Sequence, residues 1–166
     1  MRAYKKLLIG IKIILPGGKS WKNKIMKNKK IFIIEDDANI LYGLEAQFTA
    51  ADIDVEVSEA DEDLEELIGK IRDYDPDYII TDLILPKIDG FEVIKKIKSD
   101  EELSDKEIFI FTDLSDEDSR SRSLELGADY FFFKEDFDAF EFAEKVKKIV
   151  ANKDKETDND DRDYEE

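Results

Sequence analysis

Residues 77–98, DYIITDLILPKIDGFEVIKKIK, decide the fold. Tyr78, Ile79 and Ile80 form a short continuous apolar run, the pattern of a strand buried on both faces. An acid, Asp82, follows it directly. Further on, Phe91, Ile94 and Ile97 recur at helical spacing and make one apolar stripe. The period therefore changes from that of a sheet to that of a helix within one short unit, and an acid stands where the strand ends.

The same change recurs on both sides of this stretch. Ile31 to Ile34, Ile108 to Phe111 and Tyr130 to Phe133 are further short runs rich in Ile and Phe. They too read as parallel strands covered on both faces. Ile53, Val55 and Val57 instead alternate with Asp54 and Glu56, so this strand belongs at an edge with one face wet. Helical stripes fill the intervals: Ile40, Leu41, Leu44 and Phe48; Leu64, Leu67, Ile68 and Ile71, ended by Asp75-Pro76; and Phe142, Val146, Ile149 and Val150. Asp37 reads as the N-cap of the first helix. The fourth helix is thinly anchored. Ser115 with Asp118 reads as its capping box, yet only Leu124 and Leu126 are apolar before Gly127. Five strand-helix units predict an α/β protein, a (βα)5 flavodoxin-like three-layer sandwich. Its parallel five-stranded sheet has the order 2-1-3-4-5, which puts the alternating strand at an edge.

The 166 residues suit one domain. There is no cysteine and no histidine. Disulfides, thiolate nucleophiles, Ser-His-Asp chemistry and His- or Cys-ligated zinc are thereby excluded. Charge is uneven. Residues 1–30 carry ten Lys/Arg and no acid, residues 31–150 carry 13 against 35, and residues 151–166 carry 3 against 8. The acidic middle argues against direct nucleic-acid binding. No apolar run approaches the ~18 residues of a membrane span. Residues 1–29 read as a basic N-terminal extension. Lys12 interrupts its apolar stretch Leu7 to Leu15, and Met26 is the preferred start over a signal peptide or a membrane-surface segment. Residues 30–152 form the domain. Residues 153–166 read as an acidic disordered tail with too little apolar surface to offset the cost of ordering.

In a parallel sheet, ligands sit beyond the carboxyl ends of the strands. There the sequence sets Glu35, Asp36 and Asp37 after strand 1, Asp82 after strand 3, Thr112 after strand 4 and Lys134 after strand 5. Singly, each has an ordinary explanation as a cap, a turn former or a solvated lysine. Together they form one pocket. Three clustered carboxylates repel one another and call for a hard cation, for which Mg²⁺ with its few carboxylates and retained waters fits better than Ca²⁺. Lys134 and Thr112 then supply an ammonium and a hydroxyl for a phosphoryl group.

At these residues the chain resembles the receiver domains of two-component response regulators. IFIIEDD (31–37), DYIITDLILPKIDGFEVIKKIK, IFIFTD (108–113) and LGADYFFFK (126–134) carry the resemblance, in order, from about Lys30 to Asn152. It implies that Asp82 is the phosphoacceptor and that Glu35, Asp36, Asp82 and the backbone carbonyl of Ile84 bind Mg²⁺. Thr112 would be the switch hydroxyl, Lys134 the phosphate-binding lysine and Phe131 the rotating aromatic. Pro86, Asp89 and Gly90 match the turn into the third helix. The implied donor is a sensor histidine kinase or a phosphotransfer protein, since the chain has no histidine of its own.

Two positions depart from that pattern. Glu135 follows the lysine where proline is usual, which puts the loop and the lysine in question. Asp113 stands where a small residue is commoner, and its charge at the pocket mouth predicts slow or partner-restricted phosphorylation. Ile84 and Leu114 are apolar and flank the expected path of the hydrolytic water, which predicts a long-lived aspartyl phosphate. The expected role is a stand-alone cytoplasmic phosphoprotein of a phosphorelay, which switches a surface of the fourth helix, fifth strand and fifth helix for a downstream protein. A homodimer through that face is compatible with it. The chain is expected not to be an enzyme beyond assisting its own phosphotransfer and slow autodephosphorylation. Alternatives are a phosphorylation-independent scaffold and a Mg²⁺-dependent aspartyl-phosphate phosphohydrolase. The latter needs a second Asp where Ile84 stands.

Overall fold

The computed structural model describes residues 29–160, with side chains as far as Lys153. The chain runs β1 (Lys30–Ile34), α1 (Ala38–Thr49), β2 (Asp54–Ser58), α2 (Leu64–Tyr74), β3 (Tyr78–Thr81), α3 (Gly90–Ser99), β4 (Glu107–Thr112), α4 (Glu117–Glu125), β5 (Tyr130–Phe133) and α5 (Ala139–Asp160). All strands pair in parallel, in the expected order β2-β1-β3-β4-β5.

The pleat explains the two cores. Ile31 and Ile33 point to one face with Phe109 and Phe111, where Leu41, Leu44 and Phe48 of α1 meet Phe142 and Val146 of α5. Phe32, Ile34, Ile79, Ile108 and Ile110 point to the other, against Leu67 and Ile71 of α2 and Ile94 and Ile97 of α3. Successive strand residues alternate between faces, so an uninterrupted apolar run is what a sheet sandwiched by helices requires. On the α1/α5 side, Phe111 stacks on Phe142 at 4.1 Å between ring centroids. β2 is an edge strand with Asp54 and Glu56 exposed, as its alternation predicts.

Helix starts follow the caps. Asp37 accepts the amides of Asn39 and Ile40, Asp63 that of Glu66, and Asp89 that of Phe91. At α5, Asp138 accepts the Glu141 amide at 2.8 Å while Glu141 accepts the Asp138 amide at 3.2 Å, a reciprocal capping box.

Three expectations need correction. The cap of α4 is Asp116, not Ser115. Its carboxylate accepts the Ser119 amide at 2.8 Å, and an ionised carboxylate also suits the positive end of the helix better than a hydroxyl. β5 is half-buried at all four residues rather than covered on both faces. It forms the second edge, and α4 buries only Ser123. Finally, α5 continues to Asp160, into the segment expected to lack structure. Extending an anchored helix adds one hydrogen bond per residue without a new nucleation cost, so weakly apolar residues can follow. Residues 1–28, with the Met26 alternative start, and residues 161–166 lie outside the described residues.

Candidate functional site

The sheet's hydrogen-bond ladder runs one residue past its strand ends and so fixes three side chains. The Glu35 amide donates to the Ser58 carbonyl at 3.1 Å, the Asp82 amide to Ile34 at 3.2 Å, and the Lys134 amide to Thr112 at 2.8 Å. Residues separated widely in the chain thereby share one edge of the sheet, where the backbone leaves them little freedom.

The start of α3 presses against the same place. The Gly90 amide donates to the Leu83 carbonyl at 3.2 Å, and Ile84 bridges back to Asp89. A Cβ at Gly90 would fall 2.4 Å from the Leu83 Cα and 2.6 Å from the Asp82 carbonyl oxygen. Only glycine allows this approach.

Asp82 is 3% exposed. Its Oδ1 accepts the Ile84 amide at 3.0 Å and its Oδ2 accepts from Lys134 Nζ at 2.5 Å. Lys134 also reaches Glu35 Oε2 at 2.8 Å, and Glu35 Oε1 accepts the Asp37 amide at 3.0 Å. Asp36 is exposed, yet Glu35, Asp36 and Asp82 each bring one carboxylate oxygen within 4.8 Å of the others. No cis peptide bond occurs among the described residues, so the Lys134–Glu135 bond is trans, and it leaves the lysine on both acids.

Charge in this cluster is unbalanced. Burial pulls the Lys134 ammonium down, but Asp82 and Glu35 outweigh burial and hold its pKa above the ordinary lysine value. Glu35 lies above the ordinary carboxylate value because burial pushes it up by more than Lys134 and the Asp37 amide bring it down. Three carboxylates and one ammonium leave a formal charge of −2. Hard oxygen donors at this spacing with that deficit fit a divalent cation such as Mg²⁺, which is content with few protein ligands and its own waters.

The remaining sequence-selected residues surround this cluster. Thr112 is fully buried at the end of β4, and its Oγ1 accepts the Leu114 amide at 3.3 Å. Phe131 is half-buried on the edge strand β5, packed against the core layer that includes α2 and α3 side chains, and lies edge-on to Phe133 at 5.2 Å. Ile84 is 51% exposed beside Asp82, and Asp113 is exposed. Sequence reasoning missed two features. One is the sharing of Lys134 by Glu35 as well as Asp82. The other is the buried Glu62, which bonds Ser58 and Lys70; it lies in a loop with no periodicity to single it out from the acids around it.

A family model described as response regulator receiver domain matches residues 31–147. Over 134 residues the chain is 33% identical to the probable transcriptional regulator ycf27 of Porphyridium aerugineum, covering 81% of this chain and 53% of that protein. It is 32% identical over 123 residues to the alkaline phosphatase synthesis transcriptional regulatory protein PhoP of Bacillus subtilis (strain 168), covering 74% and 49%. The chain thus spans about half the length of these curated relatives. Its fold is similar to that of the response regulator receiver domain protein (CheY-like) of Methanospirillum hungatei JF-1, with a TM-score of 0.66 and 23% identity over 78% of this chain and 99% of that one. Sheet order, acidic cluster and sequence agree: this chain belongs to the response regulator receiver domain family of two-component signalling.

Proposed function

We propose that Asp82 accepts a phosphoryl group from a histidine kinase or phosphotransfer protein, and that Lys134 and Thr112 hold the product. The observation that carries this reading is the sharing of one buried ammonium by two buried carboxylates, Asp82 and Glu35. An Asp82 oxygen attacks phosphorus, the P–N bond of the phosphohistidine breaks with its electron pair on nitrogen, and the imidazole takes up a proton. Lys134 offsets charge on the transferring oxygens, and such transfers are mostly positioning and electrostatics. Mg²⁺, held by Glu35, Asp36, Asp82 and the Ile84 carbonyl, would neutralise phosphoryl and carboxylate oxygens when bound.

The aspartyl phosphate adds about −1.5 to −2 of charge at one buried point. Thr112 turns toward it, Phe131 fills the space Thr112 leaves, and α4 repacks. The readout is a protein contact on α4, β5 and α5, where Leu124 and Phe140 are exposed at 41% and 56%. The proposed setting is cytoplasmic. The chain turns over no substrate beyond its own phosphate.

Incubation with Mg²⁺ and phosphoramidate, followed by mass spectrometry, is expected to add one phosphoryl group. Asp82→Asn abolishes the addition. With Ile84 and Leu114 apolar, decay takes minutes or longer. A labelled Asn variant overturns the assignment, and decay within seconds overturns the lifetime. Beryllofluoride with Mg²⁺ is expected to change hydrogen exchange in α4; an unchanged α4 favours the scaffold.

A further inference from the structure

A third buried carboxylate, Glu62, bonds to Ser58, the residue whose carbonyl accepts the Glu35 amide, and has no role in the cluster so far. The Glu62 side chain, between β2 and α2, is 3% exposed. Carboxylates are seldom buried without a partner. Its Oε1 accepts from Ser58 Oγ at 2.9 Å and from Lys70 Nζ at 3.0 Å, while its Oε2 has no hydrogen-bond partner among the described residues. Burial pushes the Glu62 carboxyl up, and the hydrogen bonds it accepts, those of Lys70 and Ser58 among them, more than reverse this. It is therefore ionised at neutral pH.

The Ser58 hydroxyl also accepts the Ala60 amide at 3.0 Å. Ala60 has a φ of 55°, in the left-handed region that residues with a Cβ seldom occupy, and it is completely buried. Such a conformation persists only where surrounding contacts enforce it. Two contacts carry the loop outward. The Ser58 carbonyl accepts the Glu35 amide at 3.1 Å, and Lys87, on the loop that lays the Ile84 amide on Asp82, donates to the Asp61 carbonyl. Ser58 is the last residue of an edge strand, where pairing frays most easily.

We propose that Glu62 is a positioning residue for the acidic cluster. Through the Ser58 hydroxyl it holds the Ser58 carbonyl on the Glu35 amide. The braced loop, tied to Lys87, keeps the segments bearing Glu35 and Asp82 at a fixed separation. This inference rests on the proposed binding of a divalent cation by Glu35, Asp36 and Asp82. An apolar side chain could fill the same volume without a desolvation cost, so packing alone does not explain a buried charge here.

The test is calorimetric titration of the full chain with Mg²⁺, alongside thermal unfolding. Glu62→Gln is expected to weaken Mg²⁺ binding about 10-fold, the lower end of what losing an outer contact costs at metal sites, because Glu62 acts through Ser58. Ser58→Ala, which removes only the hydroxyl, is expected to act in the same sense and serves if the Gln variant does not fold. Glu66→Gln loses a contact to the same Lys70 at 3.6 Å without touching Ser58, and is expected to leave binding unchanged. Val150→Ala, in the opposite core layer, lowers stability without changing binding. Binding within twofold of wild type in both Glu62→Gln and Ser58→Ala overturns the inference while leaving the site reading intact. A wild-type chain that binds no Mg²⁺ overturns both.

Discussion

Gly90 lies against the backbone that carries Asp82. It has no Cβ to keep apart the first turn of α3 and the backbone of Asp82 and Leu83, whose atoms lie 2.4 to 2.8 Å from where that carbon would be. Backbone cannot swing aside like a side chain, so Gly90→Ala is expected to cost about 2–3 kcal/mol, at the upper end for overpacked sites. It should also slow phosphoramidate labelling at Asp82. Urea unfolding and labelling kinetics measure the two effects, and wild-type stability in the variant would contradict the close approach. The sequence identifies this glycine only as part of a turn into the third helix. Its steric role depends on which backbone lies opposite, and that is a tertiary fact. Lys134 illustrates the same limit: its place after a strand is legible, but its two carboxylate partners are set by strand order.

Among the elements, α4 is held differently from the rest. Its segment, EDSRSRSLE, buries only Ser123, whose hydroxyl turns back to the Ser119 carbonyl at 2.8 Å. The Arg122 guanidinium lies 4.0 Å from the ring centroid of Phe91 in α3, a cation–π contact of a kind worth about 0.5–2 kcal/mol. Arg122→Ala is accordingly expected to raise amide exchange across Glu117–Glu125 several-fold and to leave β1, β3 and β4 unchanged. Equal protection in α4 would show that other contacts hold it. The weakness of this helix is readable from its lack of apolar residues. The stacking is not, because Phe91 looks like a plain core residue until α3 and α4 are placed side by side. The cap at Asp116 rather than Ser115 shows how, among adjacent capping residues, the tertiary path of the chain chooses one.

At the scale of the whole molecule, acids dominate residues 31–150, and several are fixed by specific partners. Asp100 is held below its ordinary value first by the Arg72 guanidinium at 2.5 Å and then by the Glu102 amide. Because the folded value is depressed, its contribution to stability is complete above the ordinary value of 3.8 and is lost as pH falls through the folded value. Asp100→Asn is therefore expected to be less stable than wild type at neutral pH, with the gap closing below pH 3.8. Urea unfolding across the pH range measures this, and a pH-independent gap would contradict the ionic origin. Glu35 has the opposite sign: burial raises its pKa, so its ionisation opposes folding as pH rises. By itself the sequence determined the alternation of strands and helices, the edge position of β2 and the strand-end residues that carry charge, because periodicity and residue type are local properties of the chain. Tertiary structure alone decided that Lys134 bridges Glu35 and Asp82, that Glu62 is buried against Ser58, that β5 is half-open and that Arg122 lies over the Phe91 ring. Each of these depends on how the parallel sheet and its covering helices enclose the chain, which local periodicity does not encode.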